Sequence, residues 1–158
     1  IGKSLQHESI VEYYHQQDNR IFMEYIEPER PTCSMLVLAY KLAKAIHYLH
    51  SNNICHTDIK PKNIIVTSGN QIKLIDFGES MKMQLWKKGR TGTYGYMAPE
   101  MFDEGFWNGK EVDVWSFGVV CKDWRLHILA DLCLKEKKDR PTIQEVLKHP
   151  IFSGFEEN

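Results

Sequence analysis

The stretch His56-Thr57-Asp58-Ile59-Lys60-Pro61-Lys62-Asn63 is followed, after two short apolar runs, by Asp76-Phe77-Gly78. The runs are Asn63-Ile64-Ile65-Val66 and Ile72-Lys73-Leu74-Ile75, and Ser68-Gly69-Asn70 between them has the composition of a turn, which predicts a hairpin. That hairpin would carry Asp58, Asn63 and Asp76 to one end of a small sheet. Two carboxylates, a lysine and an asparagine converging there could hold a hydroxyl, a phosphate and Mg²⁺, which prefers a few hard oxygen ligands together with phosphate and water. Phosphoryl transfer asks for little more than such positioning and charge neutralisation.

Working towards the N-terminus, Leu38, Leu42, Ala45, Ile46 and Leu49 recur at spacings of three and four, the mark of a buried helical face, and Ser51-Asn52-Asn53 ends that helix. Before it, Ile10 to Tyr14 and Arg20 to Ile26 read as strands rich in β-branched and aromatic residues. Gln16-Gln17-Asp18-Asn19 is the turn between them, and Pro28 and Pro31 stop the second strand. Towards the C-terminus, Glu79 to Tyr96 lacks periodicity and contains Gly89, Gly92 and Gly95, so it reads as a long loop of the kind that is usually functional. Val112 to Val120 predicts a buried helix. Leu126 to Leu134 and Thr142 to Lys148 predict two more, separated by Asp139-Arg140-Pro141, with a capping box from Thr142 to Glu145. Two small hairpins and a set of helices make an α+β domain.

The 158 residues carry 20 Lys and Arg against 21 Asp and Glu, and 42% are hydrophobic, as in a soluble globular chain. One domain of this size buries about 70% of its unfolded surface. A net charge of -1 argues against nucleic-acid binding, and the densest basic stretch, Lys82 to Arg90, is interrupted by Met83, Leu85 and Trp86. No apolar run is long enough to cross a bilayer, and Ile1-Gly2-Lys3 does not open a signal peptide. Cys33, Cys55, Cys121 and Cys133 are dispersed, without a CxxC pair, which fits reduced thiols of a cytoplasmic or nuclear protein. His47, His50, Cys55 and His56 cluster in sequence, but their spacing matches no usual zinc finger.

Taken together, these motifs resemble the large lobe of a eukaryotic protein kinase of the Ser/Thr type. His56 to Asn63 is similar to the catalytic-loop pattern H-R-D-L-x-x-x-N, with Thr57 for Arg and Ile59 for Leu; Asp76-Phe77-Gly78 matches D-F-G and Ala98-Pro99-Glu100 matches A-P-E. Gly92-Thr93-Tyr94, Asp113 to Gly118 and Asp139-Arg140-Pro141 follow in the matching order. The resemblance implies a kinase-like α+β fold, mainly the helical lobe, with residues 1–27 as a remnant of the small lobe and hinge, 28–152 as the large lobe and 153–158 as a tail. It implies transfer of the γ-phosphoryl group of ATP to a protein hydroxyl, with ATP and Mg²⁺ as cofactors and a protein as substrate. Asp58 would be the catalytic base, Lys60 would lie against the transferred phosphoryl group, and Asn63 and Asp76 would bind Mg²⁺. Thr93 would bond near Asp58 and Lys60 in the substrate-facing loop. Met23, Glu24, Ile26 and Ile65 would surround adenine. His56, Phe77, Gly78, Glu100, Asp113 and Arg140 would be structural, with Glu100–Arg140 a buried ion pair, Asp113 anchoring the catalytic loop, and His56 and Phe77 stacked with Tyr13.

The departures from the pattern carry expectations of their own. The glycine-rich loop, the β3 lysine and its αC glutamate find no counterpart, so the chain would start at the end of αC. The stretch between Tyr25 and His50 is short for αD plus a full αE, and Cys121-Lys122-Asp123-Trp124-Arg125 leads directly to the next helix, leaving no room for αG. An alternative function is therefore a kinase-like binding module without catalysis, and the surface left by such segments would attract a partner. Thr57 cannot receive a phosphate as the usual arginine does, so activity should not depend on activation-loop phosphorylation through that contact, although Thr91, Thr93 and Tyr94 are candidate phosphosites.

Overall fold

The amphipathic pattern around Leu42 forms helix α1, Met35–Ser51, which buries Leu38, Ala39, Leu42, Ala43, Ala45, Ile46, Leu49 and His50 on one face. In the computed structural model, which describes residues 5–82 and 89–155, this helix lies against α2, Gly109–Asp123, and α4, Ile143–Leu147. The α2 helix is enclosed nearly all round: Val112, Asp113, Val114, Ser116, Phe117, Gly118, Val120 and Cys121 are buried. Its N-terminus is capped by Asn108, whose side-chain oxygen accepts from the Lys110 amide at 2.9 Å. Helix α3, His127–Cys133, packs along α2 and follows it after only Trp124, Arg125 and Leu126. At α4 the predicted capping box is present, with Thr142 and Glu145 exchanging hydrogen bonds. Phe152 and Phe155 close this end over Tyr40, so Phe155, which the sequence reading assigned to the tail, touches the core.

The strands form antiparallel pairs: β1 (Tyr13–Gln17) with β2 (Arg20–Met23), β4 (Ile64–Thr67) with β5 (Gln71–Leu74), and β3 (Ile54–Cys55) with β6 (Met81–Lys82). The first pair, Tyr13–Gln17 and Arg20–Met23, starts and ends differently from the sequence expectation. Gln16 and Gln17 extend the strand, and the turn narrows to Asp18-Asn19, both at positive φ (47° and 61°), a conformation that Asp and Asn tolerate and that matches strand twist. Ile10 and Val11 leave the hairpin altogether. Both are fully buried, and this segment bonds to the edge of the second pair through Val11 N–H to Leu74 O (3.0 Å) and Leu74 N–H to Ser9 O (2.8 Å). The hairpin leaves Tyr14, Ile21, Phe22 and Met23 exposed on its two faces.

The second pair, Ile64–Thr67 (β4) and Gln71–Leu74 (β5), is the predicted hairpin. The third was not foreseen: Ile54–Cys55 (β3) pairs with Met81–Lys82 (β6), at the start of what read as continuous loop. Two-residue strands are too short to show alternation. This pairing ties the end of α1 to the segment after Asp76-Phe77-Gly78. Most of the basic stretch from Lys82 to Arg90 lies outside the described residues, as do Ile1-Gly2-Lys3 and 156–158.

Close packing brings the start of α2 against β3. A Cβ on Gly109 would sit 2.6 Å from Cys55 Cβ and 2.7 Å from its sulfur, both in the core. Gly109→Ala therefore forces the helix away from the strand, and a loss of about 1–3 kcal/mol in chemical denaturation is the expected result. A variant as stable as the parent would show that this interface is loose.

Candidate active site

The residues between α1 and β4 form a tight loop fixed from below by Asp113 on α2. This fully buried carboxylate accepts from His56 N–H (2.9 Å) and His50 Nε2 (2.9 Å) through Oδ2, and from Thr57 N–H (2.8 Å) through Oδ1. Thr57 has φ 62°, which is costly for a β-branched residue, so the bond to Asp113 stabilises a backbone turn that local preference opposes. His50, Cys55 and Asp113 place donor atoms within 4.8 Å of one another. These carboxylate oxygens are already engaged by amides and imidazole, and burial pushes the Cys55 thiol well up, which disfavours a thiolate. Of the sequence cluster, His56 points elsewhere, towards Ile75 and Phe77.

The turn delivers Asp58, 8% exposed, into the site. Its Oδ2 accepts from Lys60 Nζ (2.7 Å) and Asn63 Nδ2 (3.2 Å), and its Oδ1 from the Thr93 hydroxyl (2.6 Å). Lys60 Nζ also reaches Thr93 Oγ1 at 2.5 Å. Asn63 Nδ2 donates to Asp58 O (2.9 Å), and Asn63 O accepts from Ile75 N–H (2.9 Å), which sets the residue before Asp76 against the loop. Asp76 is exposed, in a left-handed conformation (φ 62°), and enters no ion pair among the described residues. Its Oδ1 accepts from Gly78 N–H at 3.3 Å. The donor set fits Mg²⁺: Asn63 turns its amide nitrogen to Asp58 and leaves its oxygen as the ligand end, and Asp76 is a hard anionic oxygen donor open to solvent.

His56, Phe77 and Tyr13 meet edge-on, not stacked: 4.8 Å at 62° for His56–Phe77 and 6.1 Å at 88° for Tyr13–Phe77. Glu100 and Arg140 form a bidentate pair at 2.6 and 3.0 Å. Of the residues expected around adenine, Met23 is 45% exposed, Ile26 and Ile65 are half-buried, and the Glu24 carboxylate pairs with Lys73 at 2.7 Å and accepts from Glu12 N–H at 2.8 Å. Contacts that sequence reasoning missed are His50 on Asp113 and the Glu79 and Thr91 side chains. Only the 3.6-residue period that puts His50 on the buried face of α1 hinted at the first.

His56 has both ring nitrogens engaged. Nδ1 accepts from Asp58 N–H (3.2 Å) and Nε2 faces Ile75 O (3.0 Å), a pattern that suits the neutral ring protonated at Nε2. Burial lowers its pKa, despite the raising influence of Asp113 and the Ile75 carbonyl, and burial likewise lowers His7 and His47. For a histidine lowered on folding, the unfolded chain binds the proton first as pH falls, so stability is full above about 6.5 and is lost below it. The melting temperature should fall between pH 7.5 and 5.5, and less steeply in His56→Gln; equal slopes would remove His56 as a cause.

The sequence matches the protein kinase domain model over residues 1–126. The chain belongs to the protein kinase family. Among its kinase relatives, the serine/threonine/tyrosine-protein kinase HT1 of Arabidopsis thaliana is 33% identical over 94% of this chain and 42% of that protein. An Aurora kinase of Eremothecium gossypii is 37% identical over 71% of the chain and 30% of its own length. The phosphorylase b kinase gamma catalytic chain, liver/testis isoform, of Homo sapiens is 46% identical over 50% of the chain and 21% of its own. This kinase chain thus spans less than half the length of these relatives. Its mixed helices and small antiparallel strand pairs are a protein-kinase α+β fold.

Proposed function

We propose that the chain is the large-lobe part of a Ser/Thr protein kinase that transfers the γ-phosphoryl group of ATP to a protein hydroxyl. The observation that carries this reading is the convergence of Lys60, Asn63 and Thr93 on the Asp58 carboxylate. Asp58 is placed to take the proton of an incoming hydroxyl as its oxygen attacks the γ-phosphorus and the bond to ADP breaks. Lys60, held between Asp58 and Thr93, counters charge on the transferred group. Asn63 and Asp76 are the proposed Mg²⁺ ligands, and Mg²⁺ when bound neutralises the ATP phosphates. Met23, Glu24, Ile26 and Ile65 are the proposed adenine surroundings, supported by the resemblance alone.

The proposed division is 1–27 for small lobe and hinge, 28–152 for the large lobe and 153–158 for the tail. A protein substrate follows from the reaction. A further partner at the β1–β2 hairpin is supported by its exposed Tyr14, Ile21, Phe22 and Met23. No helix among the described residues is long and apolar enough to cross a membrane, and the four cysteines are free, which supports a cytoplasmic or nuclear site of action.

The test is transfer of labelled γ-phosphate from Mg·ATP to a generic basic protein such as histone. Expected is Mg²⁺-dependent labelling of serine or threonine. Binding of nucleotide without transfer would turn the reading to a non-catalytic module.

A further inference from the structure

Thr91 is 7% exposed, and its hydroxyl donates to the Glu79 carboxylate. Glu79 is itself tied to the catalytic loop, because its carbonyl accepts from the Thr57 hydroxyl at 2.7 Å. The next residue, Gly92, has φ +87° and lies so close to the loop that a Cβ would stand 2.5 Å from Thr57 O. Thr93 then reaches Asp58 and Lys60. Residues 91 to 93 are thus keyed into the loop in succession, by a hydroxyl, by the absence of a side chain, and by a second hydroxyl.

We propose that Thr91, bonded to Glu79, is a positioning residue that holds Thr93 against Asp58, and that unmodified Thr91 is its working form. This rests on the phosphotransfer reading above. Aligned geometry between Asp58 and the groups around it is what sets the rate, and a shift on the order of 1 Å is costly. A phosphate on Thr91 adds a charge of about -1.5 to -2 beside Glu79 and near Asp58. Among the described residues, Lys60 pairs with Asp58, and Arg90 lies 4.8 Å above the Phe102 ring. Phosphorylation would therefore open the contact.

The test uses the full chain with Thr91→Val, Thr91→Ser, Thr91→Glu and Glu79→Gln. Two readouts are taken: trypsin cleavage after the exposed Arg90, and kcat with KM for ATP in transfer to histone. Thr91→Val should speed the Arg90 cut and lower kcat by about threefold to tenfold, the range for one hydrogen bond, with KM for ATP unchanged. Ser at 91 and Gln at 79 retain donor and acceptor and should behave as the parent, while Thr91→Glu should follow Thr91→Val. A Thr91→Val chain cut at the parental rate, a Ser variant that does not rescue, or a gain in kcat from Thr91→Glu would each overturn the proposal. If Thr91→Val does not fold, Glu79→Ala against Glu79→Gln decides by the same cleavage. If the parent transfers no phosphate, the kinase reading fails, and the cleavage comparison still decides this one.

Discussion

Asp58→Asn should remove phosphate transfer and leave the fold in place. The side chain is nearly enclosed, and its partners Lys60, Asn63 and Thr93 all donate to it. Asparagine has the same shape but cannot take a proton, and its amide nitrogen presents a donor where these groups need an acceptor. General-base contributions are about 10²- to 10⁴-fold, so kcat should fall by that range. Because Asp113 holds the loop backbone through the His56 and Thr57 amides, the melting temperature should stay within a few degrees. The check pairs steady-state kinetics with a thermal scan. Transfer by the variant within a factor of about ten of the parent would take Asp58 out of the base role.

Arg140→Leu should destabilise the fold strongly. The Arg140 side chain is 1% exposed and Glu100 is 13% exposed. The guanidinium satisfies Glu100 through both terminal nitrogens, donates to Glu111 O at 2.8 Å and Lys135 O at 3.2 and 3.1 Å, and lies 5.1 Å from the Trp115 ring. Leucine would leave a largely buried carboxylate and two carbonyls without these donors. Removing one partner of a buried pair costs about 3–5 kcal/mol, or roughly 10 °C in melting temperature for a domain of this size. Lysine should rescue only in part, since it cannot reproduce the planar fork. A loss under about 1 kcal/mol by urea unfolding would show that water replaces the guanidinium freely.

Glu100 and Arg140 are far apart in sequence, yet the family pattern pairs them, as the fold does. The same holds for Asp58, Lys60, Asn63 and Thr93, which the family pattern groups and the fold brings together around the Asp58 carboxylate. Helices α1 and α4 were legible for a different reason: apolar spacing in the first and a reciprocal cap in the second are local, and local interactions leave local marks. The β1–β2 boundaries were not, because Ile10 and Val11 have strand character that serves a neighbouring strand pair instead of the hairpin. Propensity reports that a residue suits a pleated surface, and it does not say which one.

The sequence by itself determined the family, the helices with a one-sided apolar period, and the identity of the polar residues at the site. Tertiary structure alone decided the β3–β6 pairing, the bond of His50 to Asp113, and the meeting of Glu79 with Thr91. Those contacts join residues distant along the chain through single hydrogen bonds or two-residue strands. Such contacts impose no period and little composition on the sequence, so only the folded backbone brings them into view.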